Sequence, residues 1–372
     1  MISYKYNIYN QKNNKWLDRL LAECCFVWNH ALALQRRYYK IFGRYIGIGK
    51  IRHHFAKRIK RDIVYSQTAQ EILDRLDSSY QRFFRKISKR PPKFKSKKNF
   101  KSFVFTQRGF KLDSNVLTIN KINKRFKFSY SRNYEGKVKQ IRIKRSRTNK
   151  YSLIVVTDKN PSQTKEKTHN GASVGIDFGL KTYLTLSTRK EYVSPLFFKQ
   201  SQNKIKAASK KLSRAKKGSS NRKRRRLELA RVHEKIFNHR SDFQWKLAQE
   251  LCQNFDYIFI EDLNIEAMKR LWGKKVSDLS HALFIEKLEH TALKYGVVVH
   301  KINKWYPSSK TCTCGFVNKS LSLKDRTWTC PECGSFNERD LLAAQNILRK
   351  GISELESLGK TGKLIPAPNV CI

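Results

Sequence analysis

The apolar residues of this chain change their spacing abruptly, and no single regular fold accommodates both spacings. Ile2, Tyr4, Tyr6 and Ile8 alternate as on one face of a strand. From Trp16 to about Lys89 the spacing is helical, carried by Leu17, Leu20, Leu21, Cys24, Val27, Trp28, Ala31 and Leu32 and again by Ile72, Leu73, Leu76, Tyr80, Phe83 and Phe84. After Pro91 and Pro92, β-type runs return as FKSFVF, NVLTI, RFKFSY, VKQIRIKR and YSLIVVT, divided by turn residues such as Asp113-Ser114-Asn115. The pattern predicts an antiparallel β-barrel or sheet built from residues 1–10 and 91–158, with a helical insertion at 11–90. Residues 159–172 are polar and aperiodic, as in a linker. SVGIDFG, LKTYLTLS and KEYVSP then read as three strands, followed by a basic helical stretch to Leu251, a strand at 255–263, a helix at 280–295 and a strand at 296–303. That order, β-β-β-α-β-α-β, predicts an α/β domain over 173–305, completed by a helix within 338–350 after a cysteine-rich insert at 306–337. The tail, 351–372, is weakly patterned and expected to be flexible.

The surface over these cores is strongly basic. Lys and Arg number 79 against 29 Asp and Glu, a formal net charge of +50, while 40% of the 372 residues are hydrophobic and 12% aromatic. That apolar share is too large for a disordered polycation, so the charge coats a folded interior. A compact body so charged repels itself unless a polyanion of comparable size neutralises it, which points to nucleic acid. An anionic membrane is the rival surface, but no stretch approaches the roughly 20 apolar residues of a spanning helix, and the region at Met1 lacks a signal-peptide apolar core. An intracellular protein of two or three domains is expected. Cys24, Cys25, Cys252 and Cys371 are scattered, unlike a secreted disulfide framework.

In a chain so poor in acids, three positions stand out: Asp177 within a strand, Glu261 at the end of another, and Asp340 entering a helix. A carboxylate at the core-facing end of a strand costs several kcal/mol to bury unless it is hydrogen-bonded or binds a cation. Singly, each fits an ordinary strand-end acid or a helix N-terminal acid favoured by the dipole. Converging, they suit Mg²⁺, and two such ions about 3.5–4 Å apart can activate water against a phosphodiester. The second cluster is Cys312, Cys314, Cys330 and Cys333. Cys330-Pro331-Glu332-Cys333-Gly334 is a well-formed zinc knuckle, whereas Cys312-Thr313-Cys314 has one intervening residue where zinc ribbons have two. Two outcomes stay open: a structural Zn²⁺ held by four thiolates, or a degenerate knuckle held by packing of Phe316, Leu321, Leu323 and Trp328.

Taken together, GIDFGLKTYLTLS, YIFIEDLNI and SSKTCTCGFVNKSLSLKDRTWTCPECGSFNERDLLAAQNIL resemble the RNase H-like (RuvC-type) nuclease of the TnpB (OrfB) proteins encoded by bacterial insertion sequences. RPPKFKSKKNFKSFVF and SDFQWKLA extend a weaker resemblance over most of residues 1–350. The resemblance implies an RNA-guided DNA endonuclease related to type V CRISPR effectors, with Asp177, Glu261 and Asp340 as the triad that binds Mg²⁺ or Mn²⁺. It implies a guide RNA from the transposon end and double-stranded target DNA as partners, in a bacterial or archaeal cytoplasm. It also implies a wedge-like N-terminal barrel with a helical recognition lobe, which grips the guide and reads a short motif beside the target. Gln67, Gln70, Thr106 and Gln107 are the expected readers, since amides and hydroxyls can bond base edges. The alternative within the resemblance is a guided DNA-binding repressor without cleavage, were the shortened knuckle to misplace Asp340.

Two basic runs complete the reading. Residues 85–101 hold nine Lys and Arg with no acid, among them Lys93, Lys95, Lys97 and Lys98. Residues 201–226 hold 12 with no acid, among them Lys210, Lys211, Arg222, Arg224 and Arg225. Both are expected to track a phosphate backbone, because Arg forks phosphate bidentately and Lys supplies a point charge.

Overall fold

The computed structural model describes residues 1–58, 62–106, 108–160, 167–322, 325–359 and 365–366, without the side chains of 265–267, 269, 271, 272, 274 and 365–366. Gln107 and Leu323, both singled out in the sequence, lie outside the described residues. The chain divides into two compact units at residue 160.

In the first unit, strand β1 (Ile2–Ile8) precedes helices α1 (Asn14–Phe42), α2 (Ile48–Arg58) and α3 (Ser66–Phe84). Strands β2 (Ser102–Thr106), β3 (Phe110–Asp113), β4 (Val116–Ile119), β5 (Lys124–Lys127), β6 (Val138–Arg145) and β7 (Tyr151–Thr157) follow. The ladder orders are β1-β7-β6-β2 and β3-β4-β5. The register Tyr6↔Leu153 buries alternate residues of β1 against a strand that arrives well over a hundred residues later. Among the described residues an Ile8↔Phe128 bridge joins the two sheets at one corner, so the β-rich domain is two sheets sharing one core. Leu17, Ile72 and Leu76 of the helices pack in that core with Phe103, Phe126, Ile141 and Leu153 of the strands. Strand β3 escapes the sequence pattern because none of its residues is buried. Helix α1 stops at Gly43, whose φ of 64° lets its N–H return to Tyr39 O at 2.8 Å.

The second unit opens with β8 (Ala172–Asp177), β9 (Thr182–Leu186) and β10 (Glu191–Val193). Helices α4 (Phe197–Gln200), α5 (Gln202–Arg214) and α6 (Ser220–Asn254) lead to β11 (Tyr257–Glu261), then α7 (Ile265–Leu279), α8 (His281–Tyr295) and β12 (Val298–Ile302). A two-stranded hairpin, β13 (Thr327–Thr329) and β14 (Phe336–Glu338), runs directly into α9 (Arg339–Ser357), and the short β15 (Ile365–Pro366) pairs with β8. The main sheet has the order β10-β9-β8-β11-β12, with β8, β11 and β12 parallel and β9 antiparallel. Strand parity divides its residues. Val174, Ile176, Ile258 and Ile260 face a core completed by Leu247 and Leu251 of α6 and Phe284 and Leu288 of α8. Phe259 and Ile302 face the other way, against Ile347, Leu348 and Leu355 of α9.

Two glycines bring α9 onto the sheet. A Cβ on Gly175 would lie 2.1 Å from the Ala344 carbonyl oxygen, and one on Gly351 would lie 2.0 Å from the Phe259 ring. Gly351 is therefore a close-packing residue inside α9. The expected flexible tail, 351–372, is corrected over its first turns, where α9 continues to Ser357, burying Leu355 and pairing Glu354 with His300 at 2.8 Å; 360–364 and 367–372 lie outside the described residues. Of the expected linker, 161–166 lie outside the described residues, but its end is fastened. Buried Asp256 takes the Lys167 ammonium at 2.6 Å, His169 Nδ1 at 2.8 Å and the backbone N–H groups of Asn170 and Gly171. Among the described residues no helix is long and apolar enough to cross a membrane.

Candidate active site

Residues 175 and 177 of β8 share a face, as do 259 and 261 of β11, because successive side chains of a strand alternate. Gly175 and Phe259 are register partners and both face α9, so Asp177 and Glu261 end adjacent parallel strands on the α9 side of the sheet. The Gly175–Ala344 contact fixes the third group. Asp177 is two strand residues beyond that contact and Asp340 is four helix residues before it, distances of roughly 6–7 Å along each element. All three carboxylates line one cavity of about 660 Å³, with Lys181, Lys304, Arg326 and Arg339 also on its walls. Burial pushes the Asp177 carboxyl up to about 7, reinforced by the negative charges of Asp340 and Glu261 and opposed by Arg339. Burial pushes Glu261 up to about 7 as well. Acids held this far from their ionised state by desolvation and mutual repulsion form a donor set that a divalent cation fits.

Sequence reasoning missed the cationic wall of this site, Lys181, Lys304, Arg339 and above all Arg326. Its guanidinium donates to both carboxylate oxygens of Asp340, at 3.0 and 3.2 Å. The only available signal was position: Arg326 immediately precedes β13, whose Thr327↔Glu338 pairing places it opposite the start of α9. Arg339 N–H donates to Arg326 O at 2.8 Å and closes that register.

The turn of the same hairpin carries Cys330 and Cys333, and Cys312 and Cys314 come from the segment closed by the Thr311↔Val317 bridge. The sulfurs of Cys312, Cys314, Cys330 and Cys333 all lie within 4.8 Å of one another, and among the described residues no other set of three or more potential ligands is gathered so closely. The Cys312–Cys333 and Cys314–Cys330 sulfur distances are 3.7 and 3.6 Å. Four sulfurs about 2.3 Å from a central zinc would be about 3.8 Å apart, so the cluster has the dimensions of a tetrahedral thiolate site. The short first knuckle is a tighter version of the second. Cys330 N–H donates to Ser335 O across five residues, and Cys312 N–H donates to Phe316 O across four. In each the second cysteine precedes a positive-φ glycine, Gly315 at 96° and Gly334 at 72°. The missing residue thus comes out of the loop interior and leaves both ligands in place. Phe316, Leu321 and Trp328 pack beside the cluster, so metal-type convergence and apolar packing coexist.

Some of the expected nucleic-acid residues are tied into local contacts and others are exposed. Gln67 and Thr106 meet, with Thr106 Oγ1 donating to Gln67 Oε1 at 3.1 Å, and Gln70 is exposed one turn along α3. Lys93, Lys97 and Lys98 are exposed, whereas Lys95 lies over the Trp28 ring at 3.3 Å, its backbone N–H and C=O both held by Asn29. Arg222 caps α5 by donating to Leu212 O and Ala215 O at 2.9 and 2.8 Å, and Arg225 pairs with Glu228 at 3.0 Å. Lys210, Lys211 and Arg224 are exposed on the α5–α6 hairpin.

Comparison with known proteins gives this geometry relatives. Residues 152–271 match a family model described as "Probable transposase", and residues 281–347 match one described as "Cas12f1-like, TNB domain". A "Putative RNA-guided DNA endonuclease" of Streptomyces pristinaespiralis is 33% identical over 296 residues, covering 78% of this chain and 72% of that protein. The "Putative RNA-guided DNA endonuclease InsQ" of Escherichia coli K12 is 27% identical, covering 90% and 88%. TnpB-like protein L79 of Acanthamoeba polyphaga mimivirus is 32% identical over 226 residues, 56% of this chain and 42% of its own. The fold is similar to that in the cryo-EM structure of a Cas12f1–sgRNA–target DNA complex, with a TM-score of 0.57 at 17% identity, over 91% of this chain and 83% of that one. With a RuvC-like mixed sheet, a four-cysteine insertion before its last helix, and a one-third-identical relative matched over most of its length, this chain belongs to the TnpB (OrfB) family.

Proposed function

We propose that this protein is an RNA-guided DNA endonuclease that hydrolyses target DNA beside a short adjacent motif, with Asp177, Glu261 and Asp340 as its metal-binding triad. The observation that carries the reading is the convergence, in one cavity, of three carboxylates from two parallel strands and a helix start, in a chain of net charge +50. These carboxylates would hold Mg²⁺ or Mn²⁺, which when bound supplies the charge that activates water and stabilises the leaving 3′ oxygen. The protein's own part is placement. Burial on the α9 side of the sheet holds Asp177 and Glu261 at fixed depth, and the β13–β14 hairpin sets where Asp340 enters the cavity. Arg326, Arg339 and Lys304 give the same cavity a cationic wall suited to a phosphodiester. The four cysteines would hold a structural Zn²⁺, since four thiolates leave no open coordination position.

In this reading the first unit works as a wedge-like domain with a helical recognition lobe. Gln67, Gln70, Thr106 and Gln107 would read the adjacent motif, and the exposed lysines of 93–98 and of the α5–α6 hairpin would follow phosphate backbones. Guide pairing would supply sequence choice. The test is to co-express the chain with its flanking transposon DNA, sequence the RNA that copurifies, and challenge the complex with a plasmid library randomised beside the target. Mg²⁺-dependent loss of plasmids carrying one flanking motif is expected. Copurified RNA with target binding and no cleavage would favour the guided repressor.

A further inference from the structure

Trp305 is the most exposed large hydrophobic side chain among the described residues, at 81%. A lone exposed apolar residue is ordinary on a protein surface, but the place of this one is not. It follows β12, which pairs with the strand that ends in Glu261. With Lys304 it lines the carboxylate cavity, and the same two residues line an adjoining recess of about 380 Å³ whose other walls are Asp262, Lys301, Ile302 and Asn303. Trp305 and Lys304 therefore form the rim between the two spaces. The backbone of that rim is anchored: Asn303 Oδ1 accepts the Trp305 N–H at 2.9 Å, and the Asn303 carbonyl accepts the Tyr306 N–H at 3.1 Å. The indole itself projects into solvent, with Lys304 Nζ 5.1 Å from its ring centroid.

We propose that Trp305 stacks on a base of the strand held at the carboxylates, beside the bond to be cut, and that Lys304 meets a neighbouring phosphate, so that the two residues position the strand. The inference rests on the reading of the cavity as a phosphodiester site. A phosphodiester bound there belongs to a strand that must continue past the rim. An indole gives any base a π face, so the contact needs no particular sequence. In a duplex both faces of an internal base are covered by its neighbours, so the platform suits a base that has left the stack. Charge alone does not make the recess a strand path, because Lys301 already pairs with Glu289 at 2.7 Å and Asp262 is an acid on the same wall. An apolar protein segment fits less well. Ile302 is 1% exposed, which leaves the indole as the apolar side chain that the recess presents.

The test uses the RNA-bound full-length protein and a matched DNA target carrying photoreactive iodouracil at one position at a time, irradiated with Ca²⁺ in place of Mg²⁺. Peptide mass spectrometry is expected to find a crosslink at Trp305 from a position beside the cut. With Mg²⁺, Trp305→Ala should lower the saturating single-turnover rate about tenfold, and Trp305→Phe should recover most of the loss. An abasic site at the crosslinked position should slow the wild type to the same degree and slow Trp305→Ala no further, which a merely structural role would not produce. Losses that multiply when the abasic site and Trp305→Ala are combined would overturn the proposal, as would crosslinks confined to other residues. A Trp305 crosslink in a complex that does not cut supports the platform and removes the endonuclease reading. Cleavage at the wild-type rate in Trp305→Ala keeps that reading and removes the platform.

Discussion

The second unit contains two clusters of potential metal ligands, and they are built in opposite ways. The four cysteines belong to one local insert, and their sulfurs already have the spacing of a closed tetrahedral site. The three carboxylates come from β8, β11 and α9, repel one another, and are less tightly gathered, with Asp340 held by Arg326. Local chain geometry can preassemble the first site, whereas the second depends on the packing of a sheet against a helix. The contrast suits the two tasks proposed for them, since a structural site gains from being closed and a catalytic one needs positions open to water and phosphate. The hairpin joins them, since its turn carries Cys330 and Cys333, its second strand ends at Glu338, and Asp340 is two residues on.

The strongest way to break this comparison is Asp177→Ala. It should reduce Mg²⁺-dependent cleavage by about a thousandfold or more while RNA binding stays within about twofold, measured by single-turnover cleavage and filter binding. Cys330→Ser should release the zinc and slow cleavage by about a hundredfold, because the hairpin that sets Asp340 loses an ordering contribution of order 10 kcal/mol. Metal content by mass spectrometry, read beside the rate, checks that link. A rate unchanged after zinc loss would mean that α9 alone places Asp340. Arg326→Gln should cost about tenfold in rate and leave zinc in place, because it removes one charged group from the cavity and none from the ribbon. The smallest effect is expected from inserting one alanine between Thr313 and Cys314, which restores the two-residue spacing. Zinc content and cleavage should stay within about threefold, since the short knuckle already presents its sulfur correctly. A large gain in either would show that the one-residue loop is strained.

How much of this was legible in the sequence follows from how local each signal is. Cys312, Cys314, Cys330 and Cys333 announce themselves by spacing, and the structure gathers them despite the short knuckle. The switch of apolar period at Trp16 exposes the split first unit, because a helical insertion leaves the period-2 pattern of β1 intact on one side. Asp177, Glu261 and Asp340 were visible as acids in apolar settings, and the strand parity behind their shared cavity could be read from the alternation of Val174 and Ile176. What failed was less local. The residues from 351 on looked like a flexible tail because they are weakly patterned, and the Phe259 ring that Gly351 admits comes from a distant strand. Arg326 was one of many arginines until the β13–β14 register placed it opposite Asp340. Lys95 belonged to a basic run, yet its cation lies over Trp28, a contact that charge counting cannot reveal.

The most direct test of the central claim is to treat the RNA-bound protein with EDTA, measure its zinc, and then follow cleavage of a matched target as Mg²⁺ is restored. The two-site account predicts about one zinc per chain retained, no cleavage before Mg²⁺, and full recovery after it in the wild type but not in Asp177→Ala. Cleavage that persists without Mg²⁺, or that recovers in Asp177→Ala, would contradict it.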